Sequence, residues 1–166
     1  MTLLVAGNET TRNLISGGVE ALARNPEQLQ RLVADRALVP TAVEEMLRWV
    51  TPVMNFARTA TTDVEVRGRR IAAGDMLFML YGSANRDEDA FGSSATTFDV
   101  GRQPNPHVAF GFGEHFCMGA SLARLEARVL FDELLQRFST IELAGDPERL
   151  RSSLMRSLVH LPVALG

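Results

Sequence analysis

Apolar residues in the first part of the chain recur at helical spacing. Leu3, Leu4, Leu14, Ile15, Val19 and Leu22 predict one long helix over Met1 to Asn25. Gly7, Gly17 and Gly18 fall inside it, each costing about 1 kcal/mol relative to alanine, so each is either a surface accident or a point of close packing. Asn25-Pro26-Glu27 reads as a restart, with Asn25 as N-cap and Pro26 at the first helical position of a second helix running to about Arg36. A third helix begins near Pro40 and places Val43, Met46, Leu47 and Val50 on one face. Thr51-Pro52 ends it, because a residue before proline is pushed out of the helical region.

The period then shortens. Val64, Val66 and Ile71 around Gly68 predict a hairpin, and Met76 to Tyr81 predicts another strand. Gly82 to Phe116 reads mostly as loop, and a loop of that length in a compact domain is usually functional. Met118 to Phe138 predicts a strong helix with Leu122, Leu125, Val129, Leu130 and Leu134 as its buried stripe. Short strands follow from about Ile141 to Val163. The fold class is mainly α with small β elements.

Composition narrows the functions. At 166 residues and 46% hydrophobic, the chain can bury a core and is neither disordered nor fibrous. A net charge of −3 gives no electrostatic footprint for nucleic acid. One cysteine cannot form an internal disulfide. No apolar run reaches the ~18 residues of a membrane span, and no signal peptide opens the chain. All 17 basic residues are arginine, as coding in a GC-rich genome would give. Met1-Thr2-Leu3-Leu4-Val5 enters an apolar run with no cap before it, which predicts a chain that opens inside a helix.

The densest chemistry lies in Phe110-Gly111-Phe112-Gly113-Glu114-His115-Phe116-Cys117-Met118-Gly119. The cysteine stands just before a helix, where backbone N–H groups favour a thiolate. Gly111, Gly113 and Gly119 permit a tight turn and close approach of a flat ligand, while Phe110 and Phe116 can shield the sulfur. Taken alone, a lone cysteine is more often a small buried hydrophobe.

This segment resembles the haem-binding loop of the cytochromes P-450, Phe-Gly-x-Gly-x-His/Arg-x-Cys-x-Gly, and matches it at Phe110, Gly111, Gly113, His115, Cys117 and Gly119. The resemblance implies haem b (iron protoporphyrin IX) with Cys117 as the axial ligand of its iron, donating electron density that favours O–O cleavage. Further motifs follow in family order. Ala6-Gly7-Asn8-Glu9-Thr10-Thr11 is similar to the oxygen-activating motif, which implies that Thr10 steadies bound oxygen and Glu9 helps deliver protons. There the Thr10 hydroxyl can bond the Ala6 carbonyl and open a groove. Glu45-Met46-Leu47-Arg48 is similar to the family's Glu-x-x-Arg, completed by Arg102 as a structural ion cluster that pins the long loop to the third helix. Arg58 and His115 match partners of the two haem propionates. Asn85-Arg86-Asp87 matches a family turn, whereas His107 and His160 match nothing and read as ordinary residues.

Other chemistries fit less well. Zinc on His107, His115 and Cys117 lacks a fourth ligand. A dinucleotide loop at Gly111-x-Gly113 fails because Phe116 stands where glycine is needed. Against the family's usual length, the resemblance implies that residues 1–166 are the C-terminal portion of a soluble bacterial-type P-450 domain, without the N-terminal region that roofs the substrate. The implied parent activity is a monooxygenase that uses O2 and two electrons to hydroxylate an apolar small molecule: a steroid, a terpenoid or a fatty-acyl lipid. The remaining alternative is a non-catalytic truncated remnant with impaired or no haem binding. A ferredoxin-type donor in the cytoplasm is expected, meeting Arg124 and Arg128, with Val5, Ala6 and Val53-Met54-Asn55-Phe56 lining the pocket.

Overall fold

A computed structural model describes the backbone of residues 2–166 and the side chains from Ala6 onward. Leu3, Leu4 and Val5, placed on the first helix or in the pocket from the sequence, lie outside the described side chains. Helix α1 spans Thr2–Arg24, α2 Pro26–Ala34 and α3 Val39–Val50. Strand β1 (Asn55–Thr59) pairs antiparallel with β4 (Met76–Leu80), enclosing the hairpin β2 (Val64–Val66) and β3 (Arg69–Ile71). Two single-turn helices, α4 (Tyr81–Ala84) and α5 (Glu88–Phe91), interrupt what reads in sequence as continuous loop. Helix α6 (Ala120–Arg137) follows. The chain closes with β5 (Ile141–Leu143) against β8 (Val163–Leu165) and β6 (Glu148–Arg149) against β7 (Leu158–His160).

The core forms where α1, α3 and α6 meet, around Leu14, Leu22, Val43, Met46, Phe98 and Phe131. The glycines at that crossing are needed for contact. A Cβ on Gly17 would stand 2.7 Å from both methyls of Val50, and one on Gly18 would stand 2.8 Å from Phe131 Cζ. Gly17→Ala should therefore lower stability by about 1–2 kcal/mol, since overpacking against a stiff β-branched residue outweighs the gain in helix propensity. A urea midpoint equal to the parent's would show that Val50 yields freely.

Two local readings need correction. Leu122, Leu125 and Val129 are exposed, and α6 instead buries Ala120, Ala127, Phe131 and Leu135. Leu130 and Leu134 do pack against the core, so the helix carries apolar residues on two sides and only one of them meets the core. Asn25 does not cap α2 with its side chain; its Nδ2 donates to Ala21 O at 2.7 Å while its carbonyl accepts from Gln28 and Leu29. Strand β1 has no distinct signal in the sequence and exists by pairing with β4. At the end of α3, Thr51 takes a left-handed conformation (φ 46°) ahead of Pro52.

Candidate active site

Helix α1 and the cysteine loop face each other across a cavity of about 440 Å3, with Ala6, Gly7 and Thr10 on one side and Phe110, Gly111, His115, Cys117 and Gly119 on the other. Val53, Phe56, Arg58 and Tyr81 add a further wall. Nothing lies within 4 Å of a Cβ built on Gly7, so this glycine borders open space rather than a packed neighbour. The Thr10 hydroxyl donates to Ala6 O at 2.6 Å, one turn back, which satisfies it inside the helix and keeps its oxygen at the cavity wall. Glu9 turns instead to Arg12, whose guanidinium lies 2.6 Å away, rather than to Thr10.

The cysteine loop is tied by its own backbone. Gly111 N–H donates to Val108 O, Phe116 N–H to Gly113 O, and Cys117 N–H to Phe110 O at 2.9 Å. Gly111 (φ 75°) and Gly113 (φ 71°) occupy the left-handed region that a side chain resists, so these glycines set the path of the turn. The Cys117 sulfur is exposed, not buried as a lone structural cysteine would be. Arg58, on β1, is exposed and donates only to the Ala57 carbonyl, with no carboxylate partner among the described residues.

Glu45 and Arg48 are fully buried. The Glu45 carboxylate accepts from Arg48 Nε and Nη2, each at 2.7 Å, from Arg102 Nε and Asn105 Nδ2 at 3.1 Å, and from the Asp99 N–H at 2.9 Å. Arg48 uses its remaining donors on the carbonyls of Asn85, Ala95 and Thr97. All five of its N–H groups are thereby placed. Asn85 is equally committed, donating to Thr51 Oγ1 at 2.9 Å and accepting from Val108 N–H at 2.8 Å.

A second ionic group has no forewarning in the sequence. Glu44, beside Glu45, accepts both arms of Arg124 and the ring of His107. His107 therefore has a defined partner and is not an incidental residue. Arg124 is correspondingly less free to meet another protein than its sequence position suggests, while Arg128 stands 3.8 Å from the same carboxylate and is more exposed. Partial burial pushes the Glu44 carboxyl up, but hydrogen bonds and charge from His107 and Arg124 outweigh it and hold the value down at about 2. A depressed carboxylate stabilises the fold fully above its unfolded value and loses that contribution as pH falls through the folded one. The full linkage is about 3 kcal/mol, reduced by solvent screening to about 2. The stability gap between the parent and Glu44→Gln should thus be constant at neutral pH and shrink as pH falls from 4.5 towards 2. A gap that stays constant in urea titrations across that window would refute the pairing.

Val53, Ala6 and Phe56 line the cavity as the sequence predicts, but Met54 and Asn55 do not. Met54 borders a separate cleft, and Asn55 donates to Ser153 O. Tyr81 does line it, yet no sequence pattern singled it out. Among the described residues, no three His, Cys, Asp or Glu side chains converge as a metal site, and His107 is engaged by Glu44.

Fold and cavity together define the class: a mainly helical protein presenting an exposed thiol, the Arg58 guanidinium, the His115 imidazole and apolar walls to a common cavity. These donors fit a flat, dianionic, metal-bearing ring. The cytochrome P450 profile matches residues 30–163. The chain belongs to the cytochrome P450 family, and that family implies a haem cofactor. It is 52% identical to the methyl-branched lipid omega-hydroxylase of Mycobacterium tuberculosis over 163 residues, which is 97% of this chain and 38% of that protein. It is 47% identical to the steroid C26-monooxygenase of Mycolicibacterium smegmatis over 146 residues, covering 88% of this chain and 36% of that protein. Among solved structures, P450BioI in complex with an acyl carrier protein carrying hexadec-9Z-enoic acid superposes with TM-score 0.94 at 43% identity, covering 99% of this chain and 43% of that one. CYP109E1 from Bacillus megaterium with testosterone gives 0.92 at 37% identity, covering 97% of this chain and 45% of that one. The chain therefore spans well under half the length of these relatives. Among the described residues, no helix is long and apolar enough to cross a membrane.

Proposed function

We propose that residues 1–166 form the C-terminal part of a P450 monooxygenase domain that binds haem b and hydroxylates an apolar small molecule. The observation that carries this reading is the cavity in which Cys117 faces the Ala6–Gly7–Thr10 wall, with Arg58 and His115 at its rim. Cys117 would hold the iron through its sulfur, and Arg58 and His115 would pair with the two propionates as charge-assisted hydrogen bonds. Bound haem supplies oxygen activation, and thiolate donation favours O–O cleavage.

The chain's own residues bind, exclude water and move protons. Phe110 lines the cavity beside the exposed sulfur rather than covering it, and the main-chain bonds of the loop hold Cys117 in place. Thr10 offers a hydroxyl at the cavity wall, where it can hold or pass a proton. Glu9 supplies the ionisable group one residue earlier, and to relay protons from water it must exchange its contact with Arg12 for one with solvent.

The substrate reading is steroid, terpenoid or fatty-acyl lipid. It is supported by the apolar lining from Leu14, Leu47, Val53, Phe56 and Leu122. It is also supported by the names of the lipid- and steroid-oxidising relatives. Electrons would come from a ferredoxin-type donor in the cytoplasm, with Arg128 the more accessible of the two arginines on α6. A second reading, a remnant that does not turn over, is favoured by the apolar residues left exposed on β4 and α6, among them Phe78, Leu125 and Val129.

Haem titration followed by the reduced, carbon-monoxide-bound spectrum tests the proposal. Stoichiometric uptake with a thiolate-type Soret band is expected. Failure to bind haem favours the remnant, and a histidine-type band overturns Cys117 as ligand.

A further inference from the structure

Glu44 and Glu45 are adjacent on α3, so their side chains leave the helix about 100° apart. They reach different stretches of the same loop. Glu45 gathers Asp99, Arg102 and Asn105, whereas Glu44 reaches His107 and, on α6, Arg124. Arg124 closes a planar fork on Glu44, with Nε at 2.8 Å from Oε1 and Nη2 at 2.9 Å from Oε2. The fork fixes the guanidinium 4.6 Å from the centre of the Phe110 ring. His107 is set on the same ring at 6.1 Å. Its Nε2 stands 3.1 Å from Glu44 Oε2, and its Nδ1 3.3 Å from the Ala109 nitrogen. Phe110 in turn supplies the carbonyl that receives the Cys117 N–H, and its ring lies 6.2 Å from that of Phe116.

An exposed ion pair would matter little. This carboxylate is only 24% exposed and takes three donors from two other segments, in the bidentate geometry that charge-assisted bonds favour. We propose that Glu44 is a positioning residue for the cysteine: by fixing Arg124 and His107 against Phe110, it locks the main-chain bond between Phe110 and Cys117 and so sets where the sulfur sits. The role is independent of haem and of the reaction assigned above, so either reading can fail without the other.

The test is amide hydrogen exchange on the full chain with Glu44→Gln, Arg124→Lys and the double variant. Glutamine keeps the volume of Glu44 but weakens the fork, and lysine keeps the charge of Arg124 but cannot form it. Exchange at Phe116 and Cys117 should quicken about ten-fold in each single variant while core amides of α1 such as Leu14 and Leu22 keep their rates. The double variant should be no faster than Glu44→Gln alone, because that substitution already breaks the fork that Arg124→Lys removes. Unchanged exchange in the loop overturns the proposal. So does equal acceleration in loop and α1, which would mean general loss of stability, and so do additive effects in the double variant. If Glu44→Gln does not fold, Arg124→Lys alone decides by the same comparison of loop with α1.

Discussion

Arg48→Met should unfold the chain or bring it to the edge of unfolding. The substitution keeps a long apolar stem but leaves the Glu45 carboxylate without its bidentate partner, at 0% exposure, and strips the carbonyls of Asn85 and Ala95 of their side-chain donor, while Thr97 keeps only Arg102. Breaking a buried pair by removing one partner costs about 3–5 kcal/mol, and each orphaned carbonyl adds to that. Domains of this size have about 5–15 kcal/mol in total. Lysine should not rescue, since three donors on a point charge cannot serve the acceptors that the planar guanidinium reaches. The measurement is urea or thermal unfolding followed by circular dichroism. A loss below about 1 kcal/mol would mean that water or a rearranged side chain replaces the arginine.

Cys117→Ala should have the opposite profile, with no effect on the fold and complete loss of one property. The loop is held through the backbone of residue 117, whose N–H and C=O engage Phe110 and Ala120, while the sulfur is exposed. Stability should therefore change by less than about 0.5 kcal/mol. The thiolate-type Soret band of the reduced, carbon-monoxide-bound chain should vanish altogether. Retention of that band in the variant would remove Cys117 from the iron. A collapse of stability without added haem would instead make the cysteine a packing residue.

The helices on either side of the loop were legible to different degrees, for a physical reason. Helices α2 and α3 bury one stripe each, so period and burial agree, and proline marks both starts. Helix α6 carries apolar residues on two sides, and periodicity alone cannot say which side meets α1 and α3. The face with Ala120, Ala127, Phe131 and Leu135 won, with Leu130 and Leu134 packed beside it, while Leu122, Leu125 and Val129 remain exposed. Strand β1 was silent because a two-stranded sheet is defined by its partner rather than by its own alternation. Gly17 and Gly18 looked costly until their neighbours, Val50 and Phe131, gave the reason for them.

Local order along the chain was enough to find what depends on local order. The cysteine with its flanking glycines, Thr10 four residues after Ala6, and the Glu45–Arg48 spacing all act within a turn or two, so their geometry is written in their sequence offsets. Arg102 was reachable only through a family likeness. What lies 63 and 80 residues apart was not legible. Nothing in the offsets of Glu44, His107 and Arg124 says that one carboxylate will gather both partners beneath Phe110, because that depends on how α3, the loop and α6 pack. The sequence alone determined which chemically capable groups the chain carries and in which order. The tertiary structure decided which of them are free to act, because burial and partnership belong to the packed state and not to the chain.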